Sequence, residues 1–318
     1  MDENIKSELS GSDFVRLSNN FYNGINYPAD YNRIALDSQL CNYIAQNQDV
    51  IKKKYKIALT CICLNQHYWE FAEQMIQGAK TLFLPGHQVD FFLWSDMPSN
   101  NYGATVFPTD PIEWPFPTLL RYNLFLQQEE KLKEYDYIFY CDIDMKFVNV
   151  VGDEILGEGI TAAQHPMYAL RKEYCPPYEP NSESQAFIPR PGKVILDNDK
   201  PRFMPLYYAG GFQGGKSEAW IEAMKKMRVM VDRDLDKNYI PIWNDESIFN
   251  KYLFDNPPSV VLTPSYIYPD SLIKEYYEPL WGCSYMPKLV TLTKKFSTSA
   301  EGGEHVRKMI EANKFLQK

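Results

Sequence analysis

Apolar and polar positions change period several times along this chain, and each change marks an element. "KIALTCICL" at 56–64 is almost unbroken apolar sequence, rich in small and β-branched residues, which predicts a strand buried on both faces. In "YWEFAEQMIQGAKTLF" at 68–83, Tyr68, Phe71, Ala72, Met75, Ile76, Ala79, Leu82 and Phe83 recur at helical spacing. "GHQVDFFLWSD" at 86–96 returns to a strand pattern and stops at "MPSNNYG". A helix is expected over Thr118–Lys133 and a further buried strand over 136–142. This alternation of apolar strands with amphipathic helices predicts a parallel α/β sheet.

The second half is less regular. "GITAAQHPMYAL" predicts a strand ending in a polar loop, and "CPPYEPNSESQAFIPRPG" a long Pro-rich connection. "FMPLYYAGGFQGG" reads as a strand running into glycines, followed by a helix that Ser217 can cap, with Trp220, Met224, Met227 and Val231 on one side. "PIWNDESIFNKYLF" at 241–254 is a further helix, with Asn244 or Asp245 as its natural cap. Residues 1–55, polar and rich in Asn, are expected to form an N-terminal extension of short helices. One catalytic α/β domain is expected over 56–300, with a C-terminal helix or tail over 301–318.

Composition narrows the partners. At 318 residues and 45% apolar, the chain can bury a full core. Its 23 Tyr, 18 Phe and 6 Trp supply flat surfaces for sugars or bases as well as core. A net charge of -8 without a basic stripe argues against nucleic acid. The six cysteines (Cys41, Cys61, Cys63, Cys141, Cys175, Cys283) include no CxxC pair, so they read as reduced thiols. No apolar run reaches the roughly 20 residues of a membrane span, so a soluble, cytoplasmic protein is expected.

Candidate chemistry begins at "IFYCDIDMKF" (138–147), where an apolar strand ends in Asp142 and Asp144. Residues two apart on an extended chain point the same way, and two like charges side by side need a cation or water between them. A hard divalent ion against a diphosphate suits such a pair; a solvated acidic turn is the plainer alternative. Gly210, Gly211, Gly214 and Gly215 could admit a ligand to the backbone or simply make a turn. Neither GxxxxGKS nor a Rossmann fingerprint is present. Glu246, just past Trp243 and Asp245, reads either as helix-end acid or as a nucleophile or base toward a sugar. His165 reads equally as a loop hydrogen bonder or a catalytic group.

The order DxDM, HP, YE…SQAFIP, YYxGGFxGG and WxDES…NKYL, from 56 to about 270, resembles the retaining α-1,3-galactosyl- and N-acetylgalactosaminyltransferases of glycosyltransferase family 6. The resemblance implies a GT-A fold that binds a UDP-sugar. It makes Asp142 and Asp144 the metal–diphosphate motif, Ile62 and Leu64 uracil-side strand residues, and Tyr68 (or His67, the loop being one residue longer here) the aromatic partner of the base. It assigns Arg121 and Asp245 to the donor sugar, Glu246 to the anomeric carbon, and His165 and Trp243 to the acceptor galactose. Asp270 follows as an acceptor contact, and Lys294 and Lys295 as basic residues over the diphosphate. Ala209, Gly210 and Gly211 match the stretch that separates Gal from GalNAc. Gly211 there implies space for an acetamido group, hence UDP-GalNAc over UDP-Gal. Retention of both aspartates implies dependence on Mn²⁺ (or Mg²⁺), and the acceptor is expected to be a galactose-terminated glycan, with or without fucose. Asn244 departs from the family's histidine. A glycogenin-like transferase and a non-catalytic carbohydrate-binding protein are the rival readings, and self-association is compatible with each.

Overall fold

The computed structural model describes residues 53–97, 101–168, 176–189, 196–197, 200–201, 206–273 and 287–294. The extension before Lys53, the tail from 295, and Lys295 with it, lie outside the described residues. Strands β1 (Lys56–Cys63) and β2 (Gln88–Ser95) are joined by helix α1 (Gln66–Leu82), as expected. Strand β1 pairs in parallel with β2 on one side and with β4 (Tyr137–Cys141) on the other. It therefore needs apolar side chains on both faces. Ile57, Leu59, Cys61 and Cys63 enter one core with Ala72, Met75, Ile76 and Ala79 of α1. Ala58, Ile62 and Leu64 enter the other, which packs under helix α5 (Ser217–Asp236) and helix α6 (Asn244–Asp255). Period-two alternation inside an all-apolar run is what a sheet between two helix layers requires. Cys61, Cys63 and Cys141 are free and buried.

Further strands flank these. They are β3 (Thr105–Pro108), β5 (Met145–Phe147), β6 (Ile160–Gln164) and, after β7 (Tyr208–Lys216), β8 (Val260–Leu262). The main sheet has the order β8-β6-β7-β4-β1-β2-β3. All its pairings are parallel except those of β7, which runs against both β4 and β6. The strand and helix periods alone read as parallel pairing; the mixed sheet flanked by helices that the GT-A resemblance implies is the one observed. Beside it, β9 (Tyr268–Pro269) and β10 (Leu289–Thr291) form a small sheet with β5, and Met145 pairs Thr291.

The expected helix over Thr118–Lys133 is three pieces: α2 (Phe116–Leu119), α3 (Arg121–Leu126) and α4 (Glu129–Leu132). Leu120 (φ -92, ψ 10) and Gln128 (φ -112, ψ 27) leave helical values between them. The glycines after Tyr208 are not a turn but the strand itself. A Cβ on Gly214 would meet the Ile138 carbonyl at 2.3 Å, and one on Gly215 (φ +147) the Gly159 carbonyl at 2.2 Å. Only glycine lets β7 fit so closely between its neighbours. Ser217 does not cap α5; Lys216 holds that position, and the Ser217 hydroxyl donates to the Leu132 carbonyl at 3.1 Å. Likewise Trp243, not Asn244 or Asp245, occupies the cap of α6.

Candidate functional site

The parallel strands and the reversed β7 bring two kinds of chain end to one edge of the sheet. Asp142 and Asp144 leave the carboxyl end of β4 in a tight turn, while Ala209–Gly211 lie at the start of β7. The Asp142 N–H donates to the Gly211 carbonyl at 2.8 Å, which locks the turn to that strand. Two adjoining cavities open at this edge and share Asp142, Asp144 and Lys294.

The first, about 370 Å³, is walled by Ile62, Leu64, Tyr68, Asn65, Asp96, Trp114, Tyr140 and Ile143 among others. Sequence reasoning missed Asn65, Asp96, Trp114 and Tyr140. Tyr140 was legible in principle, because it stands two residues before Asp142 and its hydroxyl donates to that carboxylate. Asn65 sits at φ 81 with its N–H on Asp96 and its side chain capping α1 at His67. The second cavity, about 390 Å³, holds His165, Ala209, Gly211, Glu246, Ile267 and Asp270. Trp243 is not in its lining; its N–H donates to Ser247 Oγ at 3.1 Å and starts α6.

Arg121 and Asp245, expected against the donor sugar, line neither cavity. Both are 3% exposed and form an ion pair, Nε to Oδ2 at 3.1 Å, while the Nε–H donates to the Thr118 carbonyl at 3.2 Å. The guanidinium also donates to the Gly210 carbonyl at 2.9 Å, stands 3.8 Å from Asp142 Oδ1, and lies over the Tyr140 ring at 4.2 Å. Burial works against its charge, but Asp245, Tyr140 and Asp142 outweigh burial and raise its pKa. Arg121 thus supports the cavity floor from behind, as an enclosed cation among acidic groups.

The carboxyls respond to enclosure. Burial pushes Glu246 up to about 7, against the Gly210 N–H that donates to it at 2.8 Å. The buried Tyr207 hydroxyl lies against the same carboxyl without a well-aligned hydrogen bond. Burial pushes Asp245 up to about 7 as well, with Arg121 pulling back. Asp144 is raised by burial and by Asp142, and Lys294 opposes both. Burial lowers His165 to about 4. Its Nδ1 accepts from the Met167 N–H at 3.2 Å, so the neutral ring carries its proton on Nε2 and can donate from there.

Asp142 and Asp144 line both cavities, and among the described residues no group of three or more His, Cys, Asp or Glu could hold a metal. Two carboxylates are hard oxygen donors but an incomplete set, so a divalent ion held here would need its remaining ligands from outside the protein. Gly211 lines the second cavity, but the direction in which its side chain would point is taken. A Cβ there would stand 2.7 Å from Asp142 Oδ2 and 2.7 Å from Ile267 Cδ1, so the glycine makes room for the protein's own side chains. Asp270 lines the second cavity, but its carboxylate accepts from the Thr293 N–H and hydroxyl.

Residues 122–277 match the family model for glycosyltransferase family 6. The chain is 29% identical over 242 residues to histo-blood group ABO system transferase 1 of Rattus norvegicus, covering 71% of this chain and 66% of the relative. It is 28% identical over 214 residues to human globoside alpha-1,3-N-acetylgalactosaminyltransferase 1, covering 64% and 58%. Escherichia coli O-antigen biosynthesis glycosyltransferase WbnI is 25% identical over 214 residues, covering 66% and 86%. The aligned part thus spans less than two thirds of the first two relatives. With this match, the mixed sheet flanked by helices is a GT-A-like glycosyltransferase domain. Among the described residues, no helix is long and apolar enough to cross a membrane.

Proposed function

We propose that this chain, which carries a glycosyltransferase family 6 domain over residues 122–277, transfers GalNAc from UDP-GalNAc to the 3-hydroxyl of a terminal β-galactoside with retention of configuration. The observation that carries this reading is the pair of cavities sharing an acidic wall. One is apolar and aromatic enough for a base, the other ends on Glu246, and Asp142 and Asp144 stand between them. A nucleotide-sugar has the same division into base, diphosphate and sugar.

In this reading Ile62, Leu64 and Tyr68 enclose the uracil, with Tyr68 as its stacking partner. Asp142 and Asp144 would hold Mn²⁺, which supplies charge neutralisation at the departing diphosphate. Glu246, held by the Gly210 N–H, faces the anomeric carbon as a carboxylate, to form a glycosyl-enzyme or to stabilise positive charge there. His165 donates from Nε2 to an acceptor hydroxyl and, being neutral, does not oppose the cationic transition state. The preference for GalNAc rests on the small Ala209 on the cavity wall and on the relative named for N-acetylgalactosaminyl transfer. It no longer rests on free space at Gly211.

The test is release of UDP from UDP-GalNAc, UDP-Gal and UDP-glucose, with Mn²⁺ or EDTA, and with β-galactosides with and without fucose. Transfer from UDP-GalNAc that EDTA stops is the expected result. Equal use of UDP-glucose would favour a different donor class, and binding of glycan with no UDP release from any donor would make the protein a lectin.

A further inference from the structure

The two cavities meet at one lysine. Lys294 Nζ lies 2.9 Å from Asp144 Oδ2, and the residue lines both cavities. Asp144 is 3% exposed, so its charge depends on the nearest cation and not on bulk water. Local backbone delivers that cation. The Leu292 N–H donates to the Asp144 carbonyl at 2.9 Å, and residues 289–291 pair with 145–147. Thr293 is fastened to Asp270 through its N–H, at 2.8 Å, and its hydroxyl. The neighbouring carboxylate has a different partner, Arg121 at 3.8 Å from Asp142. Each member of the acidic pair therefore has its own protein cation.

We propose that Lys294 is a tethered counter-ion occupying the metal side of Asp144 until a diphosphate arrives, so that metal and nucleotide bind cooperatively through it. The proposal rests on reading Asp142 and Asp144 as the metal–diphosphate pair. Lysine suits the task because its charge is a point on a flexible stem and can be re-aimed without moving backbone. Its Nζ already lies 5.2 Å from the Tyr68 ring centroid, on the side assigned to the nucleotide. A dication approaching Asp144 meets a like charge at the same oxygen and is repelled. A phosphate that draws the ammonium away removes that repulsion. By linkage, each ligand then raises the other's affinity by the same factor.

The experiment counts free Mn²⁺ by its electron paramagnetic resonance signal over full-length protein, with and without UDP. In the wild type, UDP tightens Mn²⁺ binding. In Lys294→Met, equal in length and uncharged, Mn²⁺ without UDP binds about tenfold tighter or more, while UDP binds more weakly. A loss of packing cannot produce these opposite signs. Asp270→Asn, which loosens the Thr293 anchor, changes both in the same directions by less. Equal Mn²⁺ affinity in wild type and Lys294→Met without UDP overturns the role of the lysine. If neither protein takes up Mn²⁺ even with UDP, the metal reading of the acidic pair itself fails.

Discussion

The two cavities are nearly equal in volume, about 370 and 390 Å³, yet the chain makes them differently. Apart from Lys294, the first draws its wall from residues 62–144, the compact run of β1, α1, β2 and the α2 entry. The second gathers residues from 142 to 294, across β4, β6, β7, α6 and β10. One is a recess of shape and stacking assembled by consecutive parallel units. The other is a meeting of titratable groups carried in from distant segments. A recess of shape can be built locally, whereas a cluster of titratable groups takes its pKa values from partners far away in sequence.

Four experiments break or sharpen that contrast. Arg121 lies behind both cavities, so Arg121→Met should abolish it, leaving Asp245 buried without its cation. The expected loss is ~3–5 kcal/mol of stability, read by urea unfolding; a loss under 1 kcal/mol would mean that Asp245 is not held as a charge. Glu246→Gln should act on one side only, lowering transfer by about a hundredfold or more with UDP affinity unchanged. A parallel fall in UDP affinity would show that the cavities cannot be separated. Tyr68→Ala is the mirror case, weakening UDP by about tenfold and leaving the acceptor KM alone.

The mildest test is pH. Under the proposed function Glu246 acts as a carboxylate, and it is raised to about 7, so kcat/KM for the donor should fall about tenfold per unit below that point. Stability moves the other way. A carboxyl raised in the fold holds its proton more tightly than the unfolded chain does, so stability drains as pH rises from about 4.5 to about 7. His165, lowered to about 4, contributes the opposite slope from pH 4 to 6.5. His165→Phe should therefore steepen the loss of stability toward neutral pH in thermal melts.

The strands and helix that frame the first cavity were legible because they repeat at clean periods, whereas Asn65, Asp96, Trp114 and Tyr140 of its wall were not singled out. Asp142, Asp144 and Glu246 stood out as acids beside apolar runs. What stayed hidden has identifiable causes. The three-residue strand β10 is too short to show a period, so nothing announced that Thr291 reaches Met145 and brings Lys294 to Asp144. Gly214 and Gly215 looked like a turn because sequence records the absence of a side chain and not the neighbouring carbonyls that demand it. Arg121 was singled out, but its direction was not foreseen, since the break at Leu120 sends it behind the cleft.

Because β7 runs against its neighbours, the chain enters the cleft at Tyr208 and leaves at the opposite rim, where Gly214 and Gly215 are clamped from both sides. At its entry the chain is tied rather than laddered: the Tyr207 carbonyl accepts from the His165 N–H at 2.8 Å and the Leu206 carbonyl from the Tyr178 hydroxyl at 3.1 Å. An insertion inside the strand would slip two ladders together. Side chains at the entry can therefore change one at a time, while the strand itself is frozen by two neighbours at once.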